Sequence, residues 1–549
     1  MNRYHPSIVW IALALCLGCG QAAPDAQRTS DNAIAEPLGA ASFAMIESAS
    51  PDGLPMEIAG DGQGPGEGGE KYDRIVENAF LRVGDHPLST FSIDVDTASY
   101  SKVRQYLINY NQMPRPDAVR IEEMLNYFQY DYTAPTPNDT EPFATHVAVS
   151  ECPWNMQHRL VRMALKGREM ENEARPGSNL VLLIDSSGSM KRANKLPLLK
   201  RAMRLLLQQL NQNDRVAIVA YAGSAGLVLD STPASNPNAI MRGLDKVQAG
   251  GSTNGGQGLR LAYQVARDNF IENGTNRVML CTDGDFNVGM AGTDQLVSFV
   301  EQESKSGIDL TVLGFGMGNL NDSMLEQISG SGNGNYAFID TFNEAKKVLV
   351  EQLSGTLVTI AKDVKLQIEF NPSKVAAYRL IGYENRMLES EDFNDDKKDA
   401  GEIGAGHSVT ALYEIVPVGS ATVEELPKTD PLKYQQPAKA SLAAESDELL
   451  TVKLRYKFPE QDNSQLMEHI VFDTGTSFDE TDNEFQFAAA VASFGMLLRD
   501  SEHRGDWGYG DVMQTAQAST GTDKHGFREE FVELVSVAQS LARSTPKRP

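Results

Sequence analysis

Apolar and polar residues follow two different periods along this chain, and the change of period divides it into regions. Between Asn179 and about Gly355, apolar runs such as NLVLLID and NRVMLCTD alternate with segments such as KLPLLKRAMRLLLQQL. The runs are typical of strands buried on both faces, whereas the segments carry apolar residues at helical spacing. The pattern therefore predicts an α/β domain over 179–355, with a doubly wound, mostly parallel sheet covered by helices.

Alternating, strand-like sequence flanks this region on both sides. Before it, in 141–178, stand THVAVSECPW and HRLVRMALKG; after it, in 356–460, stand DVKLQIEFN, AAYRLIGYE, HSVTALYEIVPV and ELLTVKLRYKF. Two strands alone would be marginally stable, so the two groups are expected to pair with each other. We predict one antiparallel β-sandwich, interrupted by the inserted α/β domain.

The outer regions have mixed or helical patterns. Residues 71–140 combine a strand-like TFSIDV with two amphipathic helices, which predicts a small N-terminal α/β unit. Residues 461–549 contain EFQFAAAVASFGMLL, too short to cross a bilayer, and HGFREEFVELVSVAQSLA, which predicts a C-terminal helical region. Asp94 and Asp96 lie near the strand in the N-terminal unit; with no third ligand nearby in sequence, we interpret them as a strand end and a helix cap.

The first residues indicate export. Arg3 and an apolar run from Ile8 to Leu17 form a signal peptide over 1–18, and Leu17-Gly18-Cys19 resembles the bacterial lipoprotein box, in which the Cys is acylated. A plain cleaved signal is the alternative. Residues 19–70, rich in Ala, Gly, Pro, Ser and Asp, predict a disordered tether behind the acylated Cys19. We expect a lipid-anchored protein of the bacterial cell envelope, with the outer membrane favoured because no Asp follows Cys19.

The balance of charged residues limits the kinds of partner that are expected. The 549 residues include 49 Lys plus Arg against 74 Asp plus Glu, a formal net charge of −25. Such a field repels nucleic acid and favours cations or basic surfaces. We therefore expect no nucleic-acid partner.

Three polar clusters fall at strand ends or helix starts of the predicted α/β domain, where ligands of such sheets bind. The clusters are Asp185-Ser186-Ser187-Gly188-Ser189, Gly251-Ser252-Thr253 and Thr282-Asp283-Gly284. Together they offer two carboxylates and several hydroxyls. Mg²⁺ takes about six oxygen ligands and retains some of its waters, which this donor set satisfies.

This arrangement resembles the metal-ion-dependent adhesion site of von Willebrand factor type A domains, which have a Rossmann-like sheet. The resemblance implies hydroxyl ligands from Ser187, Ser189 and Thr253, and carboxylates from Asp185 and Asp283, direct or through water. The bound ion would be Mg²⁺, with Mn²⁺ or Ca²⁺ as alternatives. In the family, the last coordination place is left to water or to an acidic residue of a partner.

The flanking segments PLSTFSIDVDTASY, PRPDAVRIEEMLNYF and FGMLLRDS are similar to bacterial von Willebrand-type lipoproteins with their own N- and C-terminal extensions. The resemblance implies a protein-binding module that engages an exposed acidic residue of its partner, not an enzyme. The alternative is a hydrolase, either metal-assisted or built on Asp473. That residue begins an Asp-Thr-Gly-Thr string like that of aspartic proteases, which need two such aspartates. Only one copy occurs, so we interpret the string as a surface turn.

Overall fold

The computed structural model describes residues 72–136, 138–170, 175–252, 255–284, 293–316, 321–352, 355, 357–424 and 440–544. Within these ranges, four strands and two α-helices precede the predicted α/β domain. They are β1 (Leu81–Arg82), β2 (Leu88–Ser92), α1 (Ala98–Arg104), α2 (Ile121–Tyr127), β3 (Phe143–Glu151) and β4 (Arg159–Gly167). Helix α1 continues into a π-helical turn over Gln105–Asn109.

The central domain then alternates strands and helices, as the sequence pattern predicts. Its strands are β5 (Ser178–Asp185), β6 (Arg215–Tyr221), β7 (Ala225–Pro233), β8 (Thr275–Thr282), β9 (Asp309–Phe315) and β10 (Tyr336–Ile339). Its helices are α3 (Leu196–Gln209), α4 (Pro237–Lys246), α5 (Gly255–Asp268), α6 (Thr293–Ser304), α7 (Asp322–Ser331) and α8 (Phe342–Lys346). A π-helical turn over Lys347–Glu351 extends α8.

Strands return after the central domain, followed by helices. The strands are β11 (Thr359–Phe370), β12 (Val375–Ile381), β13 (Gly401–Gly404), β14 (Ser408–Pro417), β15 (Glu448–Lys457) and β16 (Gln465–Phe472). The helices are α9 (Asn483–Arg499), α10 (Tyr509–Ala518) and α11 (Phe527–Ser544). In the described part of the chain, we find no helix with both the length and the apolar character needed to cross a bilayer.

The central sheet has the order β10-β9-β8-β5-β6-β7, and all its pairs are parallel except β6 with β7. Helices α3, α4 and α8 cover one face of the sheet, and α5, α6 and α7 cover the other. Each face has its own apolar core. Strand β5 lies at the centre and is buried along its whole length, which explains its uninterrupted apolar sequence. The predicted doubly wound sheet is confirmed.

The flanking strands form two antiparallel sheets, as predicted. One has the order β1-β12-β14-β4-β3; the other has the order β13-β11-β15-β16, with β2 also paired to β11. Alternate residues such as Val161 on β4 and Tyr413 on β14 belong to the core between the sheets, together with Ile368 of β11 and Val452 of β15. The sandwich therefore joins strands from before and after the inserted domain.

A layer of helices covers the outer face of the first sheet. Leu160 of β4 and Leu412 of β14 share a core with α2, α9, α10 and α11, in which Phe128, Phe487 and Phe531 make edge-to-face contacts. Strands β1 and β2 of the N-terminal region belong to the sandwich sheets, whereas α2 belongs to this helical layer. The N- and C-terminal regions thus pack together around the sandwich.

The inserted domain meets the sandwich at the amino ends of its parallel strands. Leu357, just before β11, accepts a hydrogen bond from the Thr275 hydroxyl at the start of β8. Strand β5 has 8 residues, and the rise of about 3.3 Å from each residue to the next places its carboxyl end about 23 Å from this junction. The strand ends that carry the candidate ligands therefore point away from the sandwich.

Candidate metal centre

Asp185 is the last residue of β5, and the turn that follows brings two serines back toward its carboxylate. The Ser187 backbone N–H donates to Asp185 Oδ1 at 2.8 Å. The Ser187 and Ser189 hydroxyls share a hydrogen bond of 2.8 Å between their oxygens. Asp185 and Ser187 are buried, whereas Ser189 is exposed. These three oxygen donors thus form a cluster that is closed on the protein side and open to solvent.

Asp283 directly follows β8, the parallel neighbour of β5. It is buried, and its charge is one of the causes that raise the pKa of Asp185. The largest cause is burial, the hydrogen bonds from Ser187 oppose it, and the pKa of Asp185 stands at about 6. The topology has therefore brought two buried carboxyl groups from sites 98 residues apart in the chain to one edge of the sheet.

Neighbouring strands hold the Asp185 carboxylate in place. The Tyr221 hydroxyl at the end of β6 donates to Asp185 Oδ2 at 3.3 Å, and the Thr282 hydroxyl at the end of β8 donates to the same oxygen at 3.4 Å. Both partners are themselves buried, so the Asp185 carboxylate is oriented by hydrogen bonds from inside the domain.

The third cluster approaches the same turn. The Gly188 N–H donates to the Gly251 carbonyl at 3.1 Å, and the Gly250 N–H donates to the Ser186 carbonyl at 2.7 Å. Thr253 lies outside the described residues, and so does Cys19. The loop that leads to Thr253 is therefore bonded to the turn after Asp185.

The donor set suits a hard divalent cation. Two buried carboxyl groups next to hydroxyls form an oxygen-rich site, in which burial first, and the nearby charge of Asp283 second, raise the pKa of Asp185. Mg²⁺ favours such oxygen donors and supplies positive charge. The residues present thus fit the predicted ion.

The sequence pattern missed one charged residue of this site. Lys195, just before α3, donates from Nζ to Asp283 Oδ2 at 2.9 Å, and its side chain is only 8% exposed. A lysine ahead of a helix carries no sequence signal that tells which strand end it will reach. The contact depends on the tertiary packing of α3 against the sheet.

A second group of carboxylates lies elsewhere in the fold. Side-chain oxygens of Asp96, Glu123 and Glu326 lie within 4.8 Å of one another. Arg120 and Arg386 pair with this cluster, and their guanidinium nitrogens lie 2.6 Å and 3.5 Å from carboxylate oxygens of Glu326. The cluster is therefore a buried ion-pair network between the N-terminal region and α7.

The interpretation of Asp96 as a helix cap is wrong. Thr97 is the cap residue of α1, and the Asp96 carboxylate accepts a hydrogen bond of 2.6 Å from the Tyr336 N–H at the start of β10. Asp94 lies 3.4 Å from Arg386. The partners of both acids come from distant segments, which local sequence could not show.

Asp473 follows β16 in an exposed turn. Its carboxylate contacts Arg159 at 2.5 Å and accepts a hydrogen bond from the Gly475 N–H at 2.9 Å. Arginine neutralises the carboxylate, whereas an aspartic protease needs a second aspartate that shares a proton with the first. The surface-turn interpretation agrees with this geometry.

Comparisons with known proteins match most of the chain. The von Willebrand factor type A domain family matches residues 179–352, a family described as von Willebrand factor matches 67–162, and a family described as uncharacterized protein YfbK, C-terminal, matches 355–541. A solved structure described as von Willebrand factor type A from Catenulispora acidiphila covers 73% of this chain and 91% of its own, with 14% identity and a TM-score of 0.40.

Two bacterial relatives extend the match. The uncharacterized protein sll0103 of Synechocystis is 25% identical over 325 residues, which are 57% of this chain and 75% of the relative. The uncharacterized protein YfbK of Escherichia coli is 41% identical over 479 residues, which are 86% of this chain and 82% of the relative. A von Willebrand factor type A domain is a protein-interaction module, often metal-dependent. The resemblance seen in the sequence is confirmed, and the chain belongs to the YfbK family of proteins that carry this domain.

Proposed function

We propose that this protein is an exported, lipid-anchored binding module that engages an acidic residue of a protein partner through a Mg²⁺-dependent site. The observation that carries the proposal is the convergence of Asp185, Ser187, Ser189 and Asp283 at one sheet edge, with one side open to solvent. The loop leading to Thr253 is bonded to the same turn.

The residues divide the work of such a site. Asp185, fixed by Ser187, Tyr221 and Thr282, would hold the ion from the buried side, and the exposed Ser189 would lie at the rim. Mg²⁺, when bound, supplies a coordination position that a carboxylate oxygen of the partner can take. Mn²⁺ and Ca²⁺ are the alternative ions.

The place of the site in the fold supports binding to a large partner. The site lies about 23 Å along β5 from the junction with the sandwich, so the flanking sheets leave its approach open. A tether anchored at Cys19 would keep the protein at the membrane, among other molecules of the envelope. Binding is proposed over hydrolysis because Asp473, the residue on which the protease alternative depends, is bound by Arg159.

Crosslinking in intact cells, followed by mass spectrometry, tests the proposal. Asp185→Asn keeps the size of the side chain but removes its charge, and Asp473→Ala is the matched control at an exposed acid. We expect a partner that is crosslinked by the wild type and by Asp473→Ala, lost in Asp185→Asn, and released from the purified complex by EDTA. Identical crosslinks in all three proteins, unaffected by EDTA, would contradict metal-dependent binding of the partner.

Localisation needs its own experiment. Cells fed a radiolabelled fatty acid should label the wild type but not Cys19→Ala, and membrane fractionation should release only the variant. A wild type that takes up no label and is found in the soluble fraction would remove the anchor from the proposal.

A further inference from the structure

The candidate metal site already contains a positive charge. The Lys195 ammonium donates to Asp283 Oδ2 at 2.9 Å, and the two side chains are 8% and 2% exposed. Surface lysines are usually solvated and move freely. This lysine instead points inward, to one of the two carboxylates that the proposed ion would need.

The backbone on both sides of Lys195 is fixed. Its N–H donates to the Arg192 carbonyl at 3.0 Å, and its carbonyl accepts from the Leu199 N–H, in the first turn of α3, at 2.8 Å. Backbone hydrogen bonds thus hold Lys195 at the start of α3.

A glycine makes room for the lysine stem. Gly316, after β9, has φ +72, and a Cβ atom there would collide with the Lys195 Cε, Cγ and Cδ atoms. The stem therefore fills space that only glycine leaves free at this strand end. Together with the fixed backbone, this contact places the ammonium beside Asp283.

The two carboxylates of the site are treated differently. The donors to Asp185 from Ser187, Tyr221 and Thr282 are neutral, whereas Asp283 receives a full positive charge from Lys195. With both carboxylates ionised, the two acids and the ammonium sum to one negative charge. A divalent ion would turn the site singly positive, and without the lysine the loaded site would be neutral.

We infer that Lys195 is a positioning residue that lowers the affinity of the site for its divalent ion. Because it leaves the loaded site positively charged, it also raises the affinity of the site for an acidic ligand. The inference rests on the proposed function, since it requires an ion among these residues. Its physical basis is that charges a few ångströms apart in a buried site interact strongly, the ammonium repelling the ion and attracting a carboxylate. The two effects have opposite signs.

The opposite signs separate this role from a merely structural one. If Lys195 only supported the fold of the site, its removal would weaken the binding of both the ion and the acidic ligand. If it acts through its charge, replacement by methionine would tighten the binding of the ion and weaken the binding of the acidic ligand. Lys195→Met keeps most of the stem against Gly316, and Lys195→Arg keeps the charge.

Electron paramagnetic resonance of Mn²⁺ measures both affinities in the full-length purified protein. The signal of free Mn²⁺ gives the affinity of the protein for the ion. Titration of the Mn²⁺-loaded protein with acetate gives its affinity for a carboxylate. We expect Lys195→Met to bind Mn²⁺ about tenfold more tightly than the wild type and acetate several-fold more weakly. Lys195→Arg should bind acetate nearly as the wild type does, and Lys200→Met, a matched lysine on the outside of α3, should change neither affinity.

Each other outcome is decisive. Weaker or unchanged Mn²⁺ binding in Lys195→Met, in a protein that melts like the wild type, would overturn the inference and leave the proposed function standing. Unchanged acetate binding in Lys195→Met would overturn the second half of the inference. If no protein in the series, including the wild type, bound Mn²⁺, the proposed function would fail and this inference with it.

Discussion

Replacing Arg120 by methionine should destabilise the protein strongly. The guanidinium is buried and reaches three acids, with its nitrogens 2.5 Å from Asp322, 2.6 Å from Glu326 and 3.4 Å from Glu123. Breaking a buried ion pair by removing one partner costs about 3–5 kcal/mol, because the other charge stays buried and unpaired. Lys102 also pairs with Asp322 and survives the change, so we expect a loss of about 3 to 4 kcal/mol.

Urea unfolding followed by tryptophan fluorescence measures this loss, with Arg204→Met as the matched control. Arg204 pairs with Asp245 at 3.9 Å, and these side chains are 51% and 60% exposed, so its replacement should cost less than about 1 kcal/mol. The loss in Arg120→Met should also shrink as the pH falls from 7 to 5, because burial already raises the pKa of Glu123 and removing Arg120, whose charge opposes that shift, raises it further. Equal midpoints for the two variants would refute the account of this network as the link between the N-terminal region and α7.

Three further outcomes are expected. Burial lowers the pKa of Lys347 from its ordinary 10.5 to about 7, and the charge of Glu344 opposes this shift. Between pH 7 and pH 10.5, Lys347 therefore carries a proton in the unfolded chain that it has released in the folded chain. The unfolding free energy of the wild type, compared with Lys347→Met, should therefore rise by up to about 1.4 kcal/mol per pH unit from pH 7 to pH 10, measured by urea titration, and a flat or falling difference would contradict the burial argument. Asp473→Ala should cost at most about 1 kcal/mol in the same assay and leave partner crosslinking intact, since Asp473 lies in an exposed turn. Mg²⁺ at about one hundred times its dissociation constant should stabilise the wild type by about 2.7 kcal/mol in thermal unfolding but leave Asp185→Asn unchanged, and equal stabilisation of both would place the ion elsewhere.

Features that depend on periodicity were predictable from the sequence. Uninterrupted apolar runs placed β5 and β8 at the centre of a parallel sheet, and the rule that ligands bind at carboxyl strand ends brought Asp185 and Asp283 to one edge. Alternating residues likewise predicted the strands of the sandwich, because one face of each strand packs into the core between the sheets.

Features that depend on long-range packing were not predictable. Lys195 reaches Asp283 across 88 positions, and Asp96 binds the backbone of Tyr336 across 240 positions. Short strands such as β1, with two residues, have no period of their own. The edge strand β16 was not predictable either, because Ile470 and Phe472 are exposed and its apolar residues therefore do not follow the alternation of a half-buried strand.

The central claim is that one divalent ion binds among Asp185, Ser187, Ser189 and Asp283, with Thr253. Native mass spectrometry of the full-length protein, equilibrated with Mg²⁺ and then exchanged into metal-free buffer, tests it most directly. The account predicts one retained ion per chain in the wild type and none in Asp185→Asn. A wild type that retains no ion, or an Asp185→Asn variant that retains it equally well, would contradict the claim.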